Sequence, residues 1–315
     1  MQKELIVSRD VSKFSNLNAN LFARASWAAG YREGVMPIAI GNNAETKAIL
    51  NLFAYKKLGK TVLINPPFAQ NCGLSIAHTS EKRYAVNSDV KRVMRFLAEY
   101  LNENFANAYI DIAFPPEIKD IQPFLKSGFK PEIAYTYQLD LAKEEKELLS
   151  DFSSERRKNI RDAEKNKLRV ELNSNPDRVV ALVAETLHRS GLKYDCEIVG
   201  RMMQSDFTFT ISVYDEAQLL AASVVAYDNN TAYYIAGGSV KNQGNSGAGA
   251  LALWEAIKES RKLSIPKFDF CGSSVPSIES FFRGFGGELI PFFRVKNNFM
   301  FFDLLKSTKE KIISH

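Results

Sequence analysis

Between Phe207 and Gly238 three β-rich runs, FTFTISVY, QLLAASVVAY and TAYYIAGG, follow one another, and the turn residues Asp228, Asn229 and Asn230 join the last two. Links this short leave neighbouring strands an antiparallel path, because a parallel return needs a crossover of a dozen or more residues. The chain must therefore build a three-stranded antiparallel meander. Its flanks narrow the fold further. Upstream, LRVELN reads as a strand, and Pro176 and Asp177 open a helix whose apolar positions Val179, Val180, Leu182, Val183 and Leu187 keep a 3.6-residue period. Gly191 is placed to end that helix, and a second short one is expected over 197–204. Downstream, the glycine-rich link NQGNSGAG enters the amphipathic helix ALALWEAIKESRKL. The short strand FDF, a Phe-rich helix closing in FFRGFGG, and a last strand around IPFFRVKNNF complete the order β-α-α-β-β-β-α-β-α-β.

The first half echoes this order. NLFAYKKLGKTVLINPPF reads as a hairpin, VKRVMRFLAEYLNENF as a helix and AYIDIAF as a strand. At one common offset Asp111 falls on Asp269, Ile110 on Phe268, Ile112 on Phe270, Phe124 on Phe282 and Gly128 on Gly286. A degenerate internal repeat of this kind predicts two similar α/β domains in tandem, 1–145 and 146–315, each a mixed, mostly antiparallel sheet flanked by helices. A chain of 315 residues with 45% hydrophobic content is long enough to bury two cores.

The start MQKELIVSRDVSKF has no apolar h-region, and no later stretch approaches the roughly 18 apolar residues of a membrane span. A cytoplasmic location is expected. Three cysteines, Cys72, Cys196 and Cys271, show no C-x-x-C spacing, and His78, His188 and His315 show no metal-ligand spacing, so neither a disulfide framework nor a metal site is expected. The formal charge of +5 is concentrated: Glu155–Arg169 holds seven basic and three acidic residues. Ser153 and Ser154 can cap a helix there, with Ile160 and Ala163 facing inward. Arg157, Arg161 and Lys165 then share one face, and like charges at that spacing disfavour an isolated helix by a few tenths of a kcal/mol each. An anionic partner explains such a face, as does a solvated surface eased by Asp162 and Glu164. No stacking aromatics are interleaved with it.

The element order, with a glycine-rich link after the third meander strand, resembles the GNAT acyltransferase fold. Its doubling, together with SERRKNIRDAEK in mid-chain, FDFCGS, and FFRGFGG followed by a strand, resembles the FemAB and FemX relatives of that superfamily. The resemblance implies an N-acyltransferase that moves an acyl or aminoacyl group from acyl-CoA or aminoacyl-tRNA to an amine of a small molecule or a peptidoglycan precursor. It implies no permanently bound cofactor, with tRNA as a partner where the donor is aminoacyl-tRNA. Two other readings stay open: an acetyl-CoA-dependent N-acetyltransferase of a small amine or amino sugar, and a binding protein that kept the fold without catalysis.

Within such a fold the fourth and fifth strands splay, and the donor lies in the gap. That brings Tyr234 and Gly237 of TAYYIAGGS toward Asp269 and Ser273 of KFDFCGS. Asp269, between two aromatic residues, is a candidate base or a buried acceptor of hydrogen bonds, and its echo at Asp111 favours the acceptor. Gly244, Gly247 and Gly249 offer amides for a phosphate, at a spacing that departs from the superfamily's Q/R-x-x-G-x-G/A. Phe281 and Phe282 stand where many relatives place a tyrosine acid, a role Ser273 or Ser274 would have to take. Cys271 lacks a histidine partner and reads as a core residue. On the last strand Arg294 and Lys296 share a face; Lys296 best matches a reaction-centre lysine of the Fem relatives, suited to oxyanion stabilisation. Arg157, Arg161 and Arg283 are candidates for holding an anionic substrate group.

Overall fold

The computed structural model describes residues 5–8, 19–42, 46–192, 194–240, 247–272 and 275–297; Gly244, Ser273 and Ser274 lie outside the described residues. The chain divides into two compact units, Met1–Ala134 with Pro291–His315, and Tyr135–Ile290. Its strands in chain order are β1 (Ile6–Ser8), β2 (Val35–Gly41), β3 (Thr46–Lys57), β4 (Lys60–Ile64), β5 (Ser75–Ile76), β6 (Tyr109–Ala113), β7 (Lys130–Asp140), β8 (Arg169–Leu172), β9 (Thr208–Asp215), β10 (Gln218–Tyr227), β11 (Thr231–Ser239), β12 (Lys267–Asp269) and β13 (Glu288–Lys296). The α-helices are α1 (Ala25–Ala28), α2 (Arg83–Asn104), α3 (Gln122–Lys126), α4 (Glu145–Asp151), α5 (Ser154–Lys165), α6 (Pro176–Arg189), α7 (Glu197–Met202), α8 (Ala248–Lys262) and α9 (Pro276–Arg283).

In the first unit the strands run β1-β2-β3-β4-β6-β13, with β5 on the side of β3. The expected hairpin is β3–β4: Leu58 and Gly59 both take positive φ, as a two-residue turn between right-twisted strands requires, and Lys57 pairs Lys60 across it. α2 returns the chain so that β4 and β6 are parallel, Val62 opposite Tyr109. Its Val93, Met94, Leu97, Ala98 and Leu101 recur at helical spacing and are buried in the core that β2, β3 and β6 also line. Burying a side chain of that size contributes about 1.5–3 kcal/mol, so the helix is held by its apolar face.

The second unit holds the expected meander. Its strands run β7-β12-β11-β10-β9-β8, and β9, β10 and β11 are antiparallel neighbours. α5 begins where Ser153 accepts from the Arg156 amide and buries Ile160 and Ala163. α6 begins at Pro176 and is followed by Gly191 at φ 72°. Trp254, Phe268, Phe270, Phe282 and Phe285 form the aromatic part of this unit's core.

One departure concerns the last strands. β13 does not stay with β12: Arg294, Val295 and Lys296 pair with Ala113, Ile112 and Asp111 of β6. β12 instead pairs with β7, Phe268 opposite Leu139 and Asp269 opposite Gln138. The offset that sets Asp111 on Asp269 also sets Thr136 on Arg294 and Gln138 on Lys296. β7 and β13 are thus equivalent strands, each lying beside the aspartate strand of the other half. The division into units accordingly differs from a cut between residues 145 and 146. Among the described residues no helix is long and apolar enough to cross a membrane.

Candidate functional site

β11 and β12 are parallel and in register for three pairs, Thr231 with Lys267, Ala232 with Phe268 and Tyr233 with Asp269. β12 ends there while β11 continues to Ser239. Against β10 the register of β11 slips between Val224 and Val225, opposite Ala236 and Tyr234, so that Ile235 is an extra residue. A bulge bends its strand and increases the local twist. Pairing of β11 with β12 ends at Tyr233 and Asp269. Phe282 of α9 packs edge-on against Tyr234 of β11 at 5.5 Å and lies 5.4 Å from Phe270, the residue after β12. Phe282 has no hydroxyl with which to act as the acid of a departing thiolate.

Tyr234 and two of the candidate glycines, Gly237 and Gly247, pack closely against the chain's own atoms. Burial pushes the Tyr234 phenol up, and Ser223 opposes this only in part, so the ring stays neutral. A Cβ on Gly237 would lie 1.7 Å from the Tyr234 hydroxyl; on Gly238 it would meet the Leu182 carbonyl at 2.7 Å. Gly247 takes φ 72°, and a Cβ there would lie 1.9 Å from the Asn159 carbonyl of α5. Glycine is needed at 237 and 247 for these contacts alone. Gly249 alone of the described candidates has open space, Ser239 being 4.0 Å away. The first turn of α8 rests on α5, with Ala248 buried and Gly247 close against Asn159.

Asp269 is fully buried. Its Oδ1 accepts from Thr136 Oγ1 at 2.5 Å and the Cys271 amide at 2.7 Å, and its Oδ2 accepts from Gln138 Nε2 at 2.7 Å. These contacts tie β12 to β7 and to the turn beyond it. Cys271 is half-buried, and burial, with Asp269 close by, pushes its thiol up.

The basic helix is less available than its charge suggests. Arg157 donates to the carbonyls of Ser150 at 3.1 Å and Phe152 at 2.5 Å, closing the C-terminus of α4. Arg161 and Lys165 are exposed, and Lys158 pairs with Asp162. Arg156 is buried against the Phe281 ring, its guanidinium 4.7 Å from the centroid. Arg283 binds Glu279 at 3.0 Å, and the Tyr137 hydroxyl donates to the same carboxylate at 2.6 Å. The Tyr137 contact is the largest reason the Glu279 carboxyl is held below its usual range. Arg157→Ala is expected to lower stability by about 1–2 kcal/mol through loss of charged hydrogen bonds. Arg161→Glu is expected to stay within about 0.5 kcal/mol. Denaturant midpoints of the two variants check this, and equal losses would show that both arginines do the same work.

Lys296 belongs to the first unit, Asp269 to the second. Lys296 forms an ion pair with Glu132 of β7 and lies 3.9 Å from Asp111 Oδ2. Arg294 holds Asp111 Oδ1 through Nε at 3.2 Å and Nη2 at 2.7 Å, and the Tyr109 hydroxyl is 3.3 Å from Oδ2. Burial draws the Arg294 guanidinium down, but Asp111, Glu132 and Tyr109 outweigh it and raise it. Glu132 and Tyr109 were missed in the sequence.

No protein-family profile and no curated protein sequence matches this chain. Solved structures do. FemX superposes with a TM-score of 0.62 at 16% identity, covering 88% of this chain and 93% of FemX. The C-terminal domain of a protein described as a lysylphosphatidylglycerol synthetase, from Agrobacterium fabrum, gives 0.54 at 11%, covering 82% and 85% of the two chains. L-PGS from Bacillus licheniformis gives 0.51 at 10%, covering 81% and 82%. At such identities the likeness speaks for the fold. The chain has the fold of FemX.

Proposed function

We propose that this chain is an acyltransferase that moves an acyl or aminoacyl group from an activated donor to an amine, with Lys296 at the reaction centre. One observation carries the reading: on a fold shared with FemX, the late-strand lysine that resembles the Fem reaction-centre lysine lies beside a buried aspartate that already has a second cation. The amine adds to the donor carbonyl, giving a tetrahedral oxyanion; collapse expels the donor's alcohol or thiol and leaves an amide. Lys296 stabilises the oxyanion, a charge absent from the neutral ground state, and Asp111 with Arg294 keeps the lysine positioned.

Two observations weigh on the donor. Phe282 sits between the rings of Tyr234 and Phe270, where a tyrosine acid is missing, and Gly247 packs closely against Asn159. Both count against a CoA thioester held as in acetyl-CoA enzymes, so the reading puts an aminoacyl ester first. The acceptor is an amine of a small molecule or of a cell-wall precursor. Incubating the chain with aminoacyl-tRNA or with acyl-CoA, alongside a panel of amine acceptors, and following amide product by mass spectrometry tests the proposal. Amide from the aminoacyl ester is expected. Turnover from CoA thioesters alone would replace the donor assignment, and no transfer from either would leave only the binding-protein reading.

A further inference from the structure

We infer that β8 is a self-complementary edge strand through which two copies of this chain pair antiparallel, about a two-fold axis at Val170. Among the described residues β8 ends the strand order of the second unit and pairs with β9 alone. The two strands are in register from Arg169 with Tyr214 to Leu172 with Ile211, and just beyond them the Asn173 amide donates to the Thr210 carbonyl at 2.9 Å. Antiparallel neighbours alternate, so Arg169 and Glu171 turn their backbone groups inward to β9, while Val170 and Leu172 turn theirs to the outer edge. An edge of that kind is a template for another strand.

Across this edge the sequence reads LRVEL, Leu168 to Leu172, the same from either end except that the charges exchange. Lys167 takes φ 54° and Asn173 φ 52°, so neither continues the strand and Val170 is the centre of what lies between them. A copy turned about that centre sets Arg169 opposite Glu171 of the second copy, twice over. Leu168 then meets Leu172 of the second copy, and the two Val170 side chains meet each other. Centring on Glu171 would set two carboxylates face to face, and centring on Leu172 would run into the break at Asn173. The faces sort equally well. Val170 and Leu172 stand opposite Val213 and Ile211, which belong to the core that Leu168 packs against, yet they are 37% and 50% exposed. Pairing extends that apolar row across the seam. On the other face Arg169 lies over the Tyr214 ring at 4.6 Å and pairs with Glu171 of its own strand. Both side chains are exposed, so exchanging that pair in each copy for two across the seam costs little. Backbone bonds and the apolar row supply the attraction, and the charges fix the register.

Association through β8 needs neither donor nor acceptor and is measured without turnover, by sedimentation velocity of the full-length chain over a concentration series at low ionic strength. Reversible dimer formation is expected. Arg169→Glu or Glu171→Arg alone should weaken it about tenfold, because two cross-strand pairs turn repulsive at once. An equimolar mixture of the two single variants sets unlike charges opposite each other again and should recover the affinity of the unmodified chain, as should both exchanges made in one chain. A fold defect in either variant would not be repaired by mixing. Val170→Pro removes an outward amide that β9 does not use, and it should abolish the dimer with little change in unfolding midpoint. A chain that stays monomeric at every concentration overturns the inference. A dimer indifferent to the single exchanges overturns it as well, by placing the contact on another face, and so does a loss that the mixture fails to repair.

Discussion

Lys296→Gln is expected to lower kcat and kcat/KM together by about a hundredfold while leaving the KM for a neutral amine acceptor nearly unchanged. That is the scale of deleting one donor to a developing oxyanion, and the equal fall in both constants marks an interaction made only in the transition state. The substitution is chosen because Gln138 occupies the equivalent position beside Asp269 and satisfies it at 2.7 Å. Asp111 keeps Arg294 and Tyr109 in any case. A loss of turnover therefore does not reduce to a loss of fold, provided the unfolding midpoint stays within a few degrees. Full turnover by Lys296→Gln would sink the assignment, and a rise in KM with kcat unchanged would make Lys296 a ground-state contact.

How far the sequence reveals this arrangement depends on whether a signal is local. The hairpin at Leu58-Gly59, the meander around Asp228, the Ser153 cap and the stop at Gly191 each rest on a few adjacent residues with special backbone needs, and each was legible. The glycines at 237 and 247 were visible but ambiguous. A glycine is required wherever something comes close to the backbone, and the sequence does not say whether that is a ligand or, as found, a tyrosine hydroxyl and a carbonyl. Pairing of the late strands was not legible. β7 and β13 carry equivalent patterns, and alternation along a strand fixes which face is buried, not which neighbour accepts its hydrogen bonds. Arg157 was misread for a similar reason. Its contacts are carbonyls released where α4 ends, and these come near only because of the turn between α4 and α5.

The two readings of Asp269 separate through a pair of substitutions that differ in what they leave for its donors. Asp269→Ala removes the acceptor of the Thr136 hydroxyl, which is fully buried, and of the Gln138 amide and the Cys271 backbone N–H, which are partly buried. Each orphaned buried donor costs about 1–3 kcal/mol, so a loss of about 4 kcal/mol is expected. For a unit of this size that lowers the unfolding midpoint by roughly 8–16 °C. Asp269→Asn is a milder change. Its oxygen can stay at Oδ1, where Thr136 and Cys271 already donate, and its new amide can face Gln138 if that side chain turns its own oxygen inward. The cost is then the difference between charged and neutral hydrogen bonds, about 1–2 kcal/mol. An asparagine retains no capacity to accept a proton from an attacking amine. If Asp269 is a strut, the asparagine variant therefore keeps nearly full turnover per folded molecule, and the alanine variant loses activity only as far as it unfolds. If Asp269→Asn melts close to the unmodified chain yet turns over a hundredfold more slowly, the carboxylate is a base and its three donors serve to aim it.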